Sequence, residues 1–414
     1  MSYKVKLSDV AEIVMGQSPK GIDCNSTGNG FPLLNGPTEF TGRSPAPTQF
    51  TTAGKKFSKI GDILFCVRGS TTGRMNYADR VYAIGRGIGA IRGINGYPTP
   101  YIRAVLEYNL ERLLVAATGS TFPNVGKDLL NAFEVTVCSP EEAQRANQLI
   151  TGIEDKRYLN TQTNQTLEAM AQAIFRSWFV DFDPVKAKMQ GKQPEGMDAD
   201  TAALFPDKLV ESELGLIPEG WSTGTLSDIA TYSSARTSAE NISLDNYIST
   251  ENMLPEKKGI TSASKLPTAK TVAAYKPGNI LISNIRPYFK KIWLAERCGG
   301  RSNDILGFES ISPTTTLYLM NLLSQDEFFE YMTRTSKGAK MPRGDKTAIM
   351  NWSLVIPPIQ LRQTFSSVVE QFYELIPKNN LQNGSLVALR DTLLPKLLSG
   401  ELPLKQAEKL AEVS

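Results

Sequence analysis

No histidine occurs in the 414 residues, and the four cysteines (Cys24, Cys66, Cys138, Cys298) are scattered without a CxxC pair. That removes Ser-His-Asp and Cys-His nucleophilic sites together with histidine-based metal centres. No GxxxxGKS/T phosphate loop is present, so motor or helicase chemistry has no support. "GRGIGAIRG" (85–93) misses the GxGxxG spacing and reads instead as a β-hairpin or bulge where backbones approach closely. "IPPIQ" (356–360) is not the Asn/Asp-Pro-Pro-aromatic tetrapeptide expected of adenine methyl transfer. "FPDKLVESE" (205–213) ends on an acid where a PD…ExK nuclease needs lysine. No catalytic set is complete, so the expectation is a binding subunit: catalytic residues none, metal ligands none.

Four polar, basic loops carry the recognition chemistry that remains. "VRGSTTGRM" (67–75) offers Arg68, Ser70, Thr71, Thr72 and Arg74, and "GSTFPNVGKD" (119–128) offers Ser120, Thr121, Asn124 and Lys127. "NIRPYFKKIW" (284–293) offers Asn284, Arg286, Tyr288, Lys290 and Lys291, and "KGAKMPRGDK" (337–346) offers Lys337, Lys340, Arg343 and Lys346. Arginine binds guanine through two parallel bonds, asparagine pairs with adenine, and Ser, Thr and Lys commonly hold phosphates. Taken singly, each of these residues reads first as part of a surface turn with a solvated cation. As sets, the loops look like two readers of different base sequences.

The elements that position these loops recur along the chain. "LSDVA" (7–11) returns as "LSDIA" (226–230), 219 residues later. "KIGDILFCVR" (59–68) answers "KPGNILISNIR" (276–286) at an offset of 217 to 218. Gly119 and Gly338, and Pro123 and Pro342, are again 219 apart, as are "NQTLEA" (164–169) and "NGSLVA" (383–388). Landmarks that hold one register over such a length indicate a duplicated, domain-sized unit rather than a solenoid of short repeats. Within each unit, short apolar or β-branched runs such as "DILFCVR", "YAIGRGIGAIRG", "FEVTV", "GNILISNIR" and "SLVIP" predict strands. Residues 101–118 and 316–335 predict helices.

A long helix closes each unit. Ser139 and Glu142 form a capping box around Pro140, and the pattern runs to about Phe182, where Pro184 is expected to stop it. One heptad series is Ala146, Ile153, Asn160, Leu167 and Ile174; the other is Leu149, Lys156, Thr163 and Met170. Adding 219 gives Phe365, Phe372, Asn379, Leu386 and Leu393, then Val368, Leu375, Gln382 and Leu389. Asn160 and Asn379 fall at one core position, which suggests helices aligned by polar centres. Pro377 predicts a kink or break in the second helix. Residues 183–221, rich in Pro, Gly and acids, read as a linker. The predicted fold class is α+β: two mixed α/β domains from an internal duplication, separated by two long antiparallel helices. Its parts are 1–145, a central helix and linker at 146–221, a second domain at 222–357, and a C-terminal helix at 358–414.

Hydrophobic content of 41% and charged content of 21% are ordinary for a globular chain. The net charge of +3 is unevenly spread: 15 basic against 10 acidic residues in 1–139, 16 against 12 in 222–356, but 8 against 14 in 140–221. Two basic parts around an acidic stretch fit surfaces that meet polyanions, and also fit ordinary solvated faces. Unpaired thiols suit a reducing compartment, and no apolar run approaches a bilayer span of about 20 residues, so a cytoplasmic location and no membrane partner are expected.

"SWFVDFDPVKAK" (177–188), "SELGLIPEGW" (212–221), "AIGRGIGAI" (83–91) and "LLPKLLSGEL" (393–402) resemble signature segments of the specificity subunit of type I restriction–modification systems. The resemblance spans nearly the whole chain. It implies two target-recognition domains and two helical spacers. It also implies double-stranded DNA as ligand and a complex with two modification (methyltransferase) subunits and with restriction subunits that translocate and cut DNA. S-adenosylmethionine, ATP and Mg would belong to those partners, with no cofactor bound by this chain. A helix of about 30 residues would span about 45 Å, a little over one DNA turn, so two unlike half-sites about one turn apart are expected. Trp178, Phe179, Leu394 and Leu397 are the candidates for partner contact, with burial in the chain's own core as the alternative. The competing class is a non-catalytic structural adaptor whose basic domains bind proteins or RNA.

Overall fold

The computed structural model describes residues 2–119 and 122–399, the side chains of 398 and 399 excepted. The chain divides into two compact units. The first comprises residues 1–163 with 379–414, and the second residues 164–378. Each unit thus holds one globular head and a stretch of both long helices.

In the first head an antiparallel sheet runs Ala11–Met15, Ile88–Gly93, Ile63–Cys66, Met75–Tyr77. A second sheet runs Cys24–Asn25, Gln49–Thr51, Phe31–Leu34, Ala83–Ile84, and only its last pair is parallel. Tyr3–Lys6 pairs with Glu134–Val137 and ties the start of the head to its end. Ile63, Leu64, Phe65 and Cys66 are fully buried, which is why this strand reads as a continuous apolar run rather than an alternating one. "GRGIGAIRG" is not a hairpin: the chain passes there from the second sheet to the first. The close approach is real, because a Cβ on Gly87 would lie 2.2 Å from the Asn35 carbonyl oxygen.

The second head repeats the strand order of the first sheet, but in its other sheet the last two strands have exchanged places. Its antiparallel sheet runs Ala230–Tyr232, Ile305–Ser310, Ile280–Ser283, Ile292–Leu294. The other sheet runs Arg236–Ser238, Thr271–Tyr275, Gly299–Arg301, Tyr247–Ile248, again with only the last pair parallel. Ser222–Thr225 pairs with Ser353–Ile356. The "LSD" landmarks have a local physical reason. Leu7 and Leu226 are both wholly buried, and their N–H groups donate to Phe133 and Trp352, 2.8 and 2.9 Å away. Asp9 and Asp228 accept from the N–H of Lys6 and Thr225 at 3.0 and 2.7 Å, capping the turn that follows. Each long helical stretch of the heads is in fact two shorter helices, Thr99–Tyr108 with Leu110–Val115, and Thr316–Leu323 with Asp326–Arg334. At the first break, buried Asn109 donates its side chain to the Val105 carbonyl.

The first long helix is Pro140–Phe179 and the second Ile359–Ser399. The capping box is formed: Ser139 donates through N and Oγ to Glu142, and the Glu142 N–H donates back to Ser139 Oγ. Within the first unit Asn160 donates to Gln382 and Asn383 at 2.8 and 3.0 Å, while Leu149 packs with Leu389, Leu393 and Leu397. Within the second, Asn164 donates to the Ile376 carbonyl and Phe175, Trp178 and Phe179 surround Phe365. In each unit the residue numbers on the two strands run oppositely, so each pair is antiparallel.

Four expectations are corrected. The second heptad series lies one residue later in both helices: Ala143, Ile150, Asn164, Ala171 and Trp178 are buried, as are Val369, Ile376 and Leu397. The anticipated Met170, Val368 and Leu375 are instead 45, 42 and 40% exposed, whereas the anticipated Leu149 and Leu389 do pack within the first unit. The helix stops at Phe179, the chain reverses through left-handed Phe182 (φ 55°), and Pro184 sits in the first turn of the next helix, Asp183–Met189. The second long helix passes through Pro377 unbroken, because buried Val369 and Ile376 and half-buried Phe372 hold it against the core. A proline inside a helix costs about 3 kcal/mol, which that packing outweighs. Residues 183–221 are not a loose linker. They form two short helices and the hairpin Leu209–Ser212 with Gly215–Pro218, and bury Val185, Phe205, Ile217 and Trp221.

Candidate nucleic-acid interface

The four candidate loops, far apart in sequence, meet in pairs, one pair on each head. In the first head the strand Ile63–Cys66 ends in the 67–75 loop, and the Val125 N–H donates to the Val67 carbonyl at 2.8 Å. Arg68 and Asn124 form an isolated bridge, and Thr118 and Asn124 form another that closes the second loop on itself. Thr72 Oγ1 donates to the carbonyls of Gly69 and Pro123 at 2.8 and 2.9 Å, stapling one loop to the other. Thr71 Oγ1 lies 3.7 Å from the Cys66 thiol and is half-buried. Thr71 and Thr72 therefore shape the loops. Arg68, Ser70, Arg74, Asn124 and Lys127 are exposed, and among the described residues their side chains have no hydrogen-bond partner. Ser120 and Thr121 lie outside the described residues.

The second head repeats the arrangement with other side chains. Ile285 and Arg343 form the bridge between its loops, and Lys337 with Arg343 closes the second loop. The Arg286 N–H donates to Pro342 at 2.8 Å and the Gly344 N–H to Asn284 at 3.1 Å. Gly119 and Gly338 both have left-handed backbones (φ 120° and 99°), as that closure requires.

The cations here divide into two sets. Lys290 Nζ is 3.0 Å from Asp326, which also holds Lys257 at 2.8 Å; Lys257, then Lys290, keep that carboxyl below its ordinary range. Lys291 donates to the Thr250 carbonyl at 2.6 Å, and burial pulls its ammonium down. Lys337 pairs with Asp345, whose carboxylate raises it, and Arg343 Nη2 lies 3.1 Å from Asp304. Lys340, Lys346 and Arg286 are exposed and, among the described residues, their side chains carry no partner. Asn284 is only 7% exposed, and its Oδ1 faces Gly344, where an added Cβ would sit 2.6 Å away. It is unavailable as a base reader in this conformation, a correction caused by its place at the end of a buried strand. Tyr288 is 47% exposed and pairs with Phe289, ring centroids 4.8 Å apart.

Sequence reasoning missed two side chains at the loop tips. Phe122 and Met341, 219 residues apart and each before a proline, are 53 and 50% exposed. A Phe-Pro and a Met-Pro pair in one register were the available signal. The four residues expected to meet a partner are instead core. Trp178 and Phe179 pack on Phe365 and Trp221 in the second unit, Leu394 joins the first head's core, and Leu397 packs beside Leu393. Each is 6–8% exposed.

Known proteins similar to this chain share one description. A family model described as the type I restriction modification DNA specificity domain matches residues 2–169. The Type I restriction enzyme HindI specificity subunit of Haemophilus influenzae is 26% identical over 412 residues, covering 84% of this chain and 88% of that protein. The Type I restriction enzyme MjaIX specificity subunit of Methanocaldococcus jannaschii is 25% identical over 309 residues, covering 70% of this chain and 65% of its own. The solved S subunit of a type I restriction-modification system from M. genitalium has the same fold, with a TM-score of 0.55 and 15% identity over 96% of both chains. Among the described residues no helix is long and apolar enough to cross a membrane. Residues 2–169 thus match the type I DNA specificity domain, and along most of its length the chain is similar to specificity subunits of type I restriction–modification systems.

Proposed function

We infer that this chain selects the DNA target of a type I complex as an asymmetric, bipartite sequence, each head reading one half-site. The observation that carries the reading is the paired loop edge. Both heads close it with equivalent bridges, Arg68–Asn124 and Ile285–Arg343, yet present different side chains on it. One scaffold with unlike readers fits a duplicated unit whose halves diverged in what they recognise, and unlike readers make an asymmetric site. DNA is met by exposed groups that are unpaired among the described residues: Arg68, Arg74 and Asn124 on the first head and Arg286 on the second read bases, Lys127, Lys340 and Lys346 hold phosphates, and the ion-paired lysines hold the loops. The parts are a first recognition domain at 1–145, a second at 222–357, and antiparallel helices as the spacer.

Chemistry then falls to companions: two modification subunits that bring S-adenosylmethionine for adenine methylation, and restriction subunits that use ATP and Mg. The experiment is to express this chain with its modification subunits in a host lacking adenine methylation and map the methylated adenines. A single motif of two unlike blocks around an unspecified gap supports the reading. A contiguous or palindromic motif, or methylation without a motif, refutes it.

A further inference from the structure

We propose that Arg286 is a specificity-determining residue of the second head, held in a strained backbone so that its guanidinium meets a base edge, most simply guanine O6 and N7. This rests on the reading above that the paired loops face DNA.

In the first head the turn after the buried strand is left-handed at Gly69 (φ 96°) and Gly73 (φ 94°). At the offset of 217, the second head repeats that turn with Arg286 (φ 50°) and Lys290 (φ 50°). Glycine takes this conformation freely, whereas a residue with a Cβ pays for it. A Cβ on Gly69 would meet nothing within 4 Å, so the position is open to a side chain and only the backbone favours glycine. The strain is fixed from outside. Two further left-handed residues, Glu256 (φ 55°) and Lys257 (φ 58°), donate N–H groups to the carbonyls of Phe289 and Lys290 at 2.9 Å each.

Packing explains one of the two replacements. Lys290, with Lys257, is bound to Asp326 and so secures the loop. Arg286 has no such use. Its N–H is held by Pro342 at 2.8 Å and its carbonyl by the Phe289 N–H at 3.0 Å, yet its side chain is exposed and, among the described residues, unpartnered. A locked stem with a free planar head is pre-organised for a ligand outside the chain, and strain kept without internal return marks functional positions. The guanidinium fork matches the two acceptors of guanine in the major groove.

The test is made in the complex with modification subunits. Arg286→Gly relieves the backbone, so Tm is expected to hold or rise by about 2 °C. In the mapped motif one position of one half-site is expected to become degenerate, with the other half-site unchanged. Arg286→Lys keeps the charge without the fork and is expected to relax the same position. An unchanged motif in Arg286→Gly overturns the proposal, as does full restoration by Arg286→Lys, which would mark a phosphate contact. If methylation ceases altogether, binding to the mapped target and to a scrambled duplex decides. A loss of about tenfold or more confined to the target supports the proposal, and an equal loss on both overturns it. Failure of the parent reading would be seen separately, as the absence of any motif with the unaltered chain.

Discussion

Replacing Lys340 and Lys346 with glutamine removes two ammonium groups that no carboxylate among the described residues neutralises, on loops whose backbone is held by the Lys337–Arg343 and Ile285–Arg343 bridges. Both side chains are exposed, so the fold should lose no more than about 0.5 kcal/mol. The effect on DNA should be electrostatic. Each neutralised phosphate contributes about 0.9 to the slope of log affinity against log salt, so losing two contacts flattens the slope by about 1.8. Between about 50 and 200 mM salt the unaltered chain should then lose about 12-fold more affinity than the variant, equivalent to about 1.5 kcal/mol. Lys337 provides an internal control: it is 81% exposed but paired with Asp345, so Lys337→Gln should flatten the slope less. Fluorescence anisotropy on a labelled duplex of arbitrary sequence, titrated at four or so salt concentrations, reads the slope without knowledge of the target. A slope unchanged by the double replacement would take this loop out of the interface.

Thr72→Val deletes the hydroxyl that joins Gly69 to Pro123. It should destabilise the first unit by about 1 kcal/mol, seen as a Tm lower by about 2–4 °C, and unchanged melting would mean the staple is idle. Glu142 gives a pH signature. The Ser139 backbone N–H, then its hydroxyl, hold the carboxyl below its ordinary value. A depressed folded-state pKa contributes stability above the carboxylate range and loses it as pH falls through the folded value. Glu142→Gln should therefore lack that part of the acid destabilisation below about pH 4, and parallel melting curves against pH would reject the cap's contribution.

What could be read from the sequence was the chemistry of single turns. Leu7 with Asp9, Leu226 with Asp228, Gly119 with Gly338, and Ser139 with Glu142 each satisfy a local backbone demand, so their types and spacing survive divergence. The heptad seam was misplaced by one residue over much of its length because its second series includes Arg157 and Asn164, whereas the expected one has Met170, Val368 and Leu375. Apolar content was a poor guide to the face, since Asn160 and Asn164 are satisfied across the seam by Gln382, Asn383 and the Ile376 carbonyl, partners distant in sequence. The segment 183–221 was misread for a related reason: Val185, Phe205 and Trp221 are too dispersed to form a period, and only the tertiary core gathers them. At the candidate interface the loops were legible and their inner structure was not. Nothing local to Lys290 or Lys291 announces Asp326 or the Thr250 carbonyl, and nothing near Asn284 foretells its burial.

Independent readers on separate scaffolds ought to be exchangeable one at a time. Replacing residues 1–145 with the corresponding segment of a relative that directs methylation elsewhere, then mapping methylated adenines, should convert one block of the motif and leave its companion block as it was. Two blocks that both stay the same, or that both change, would contradict it.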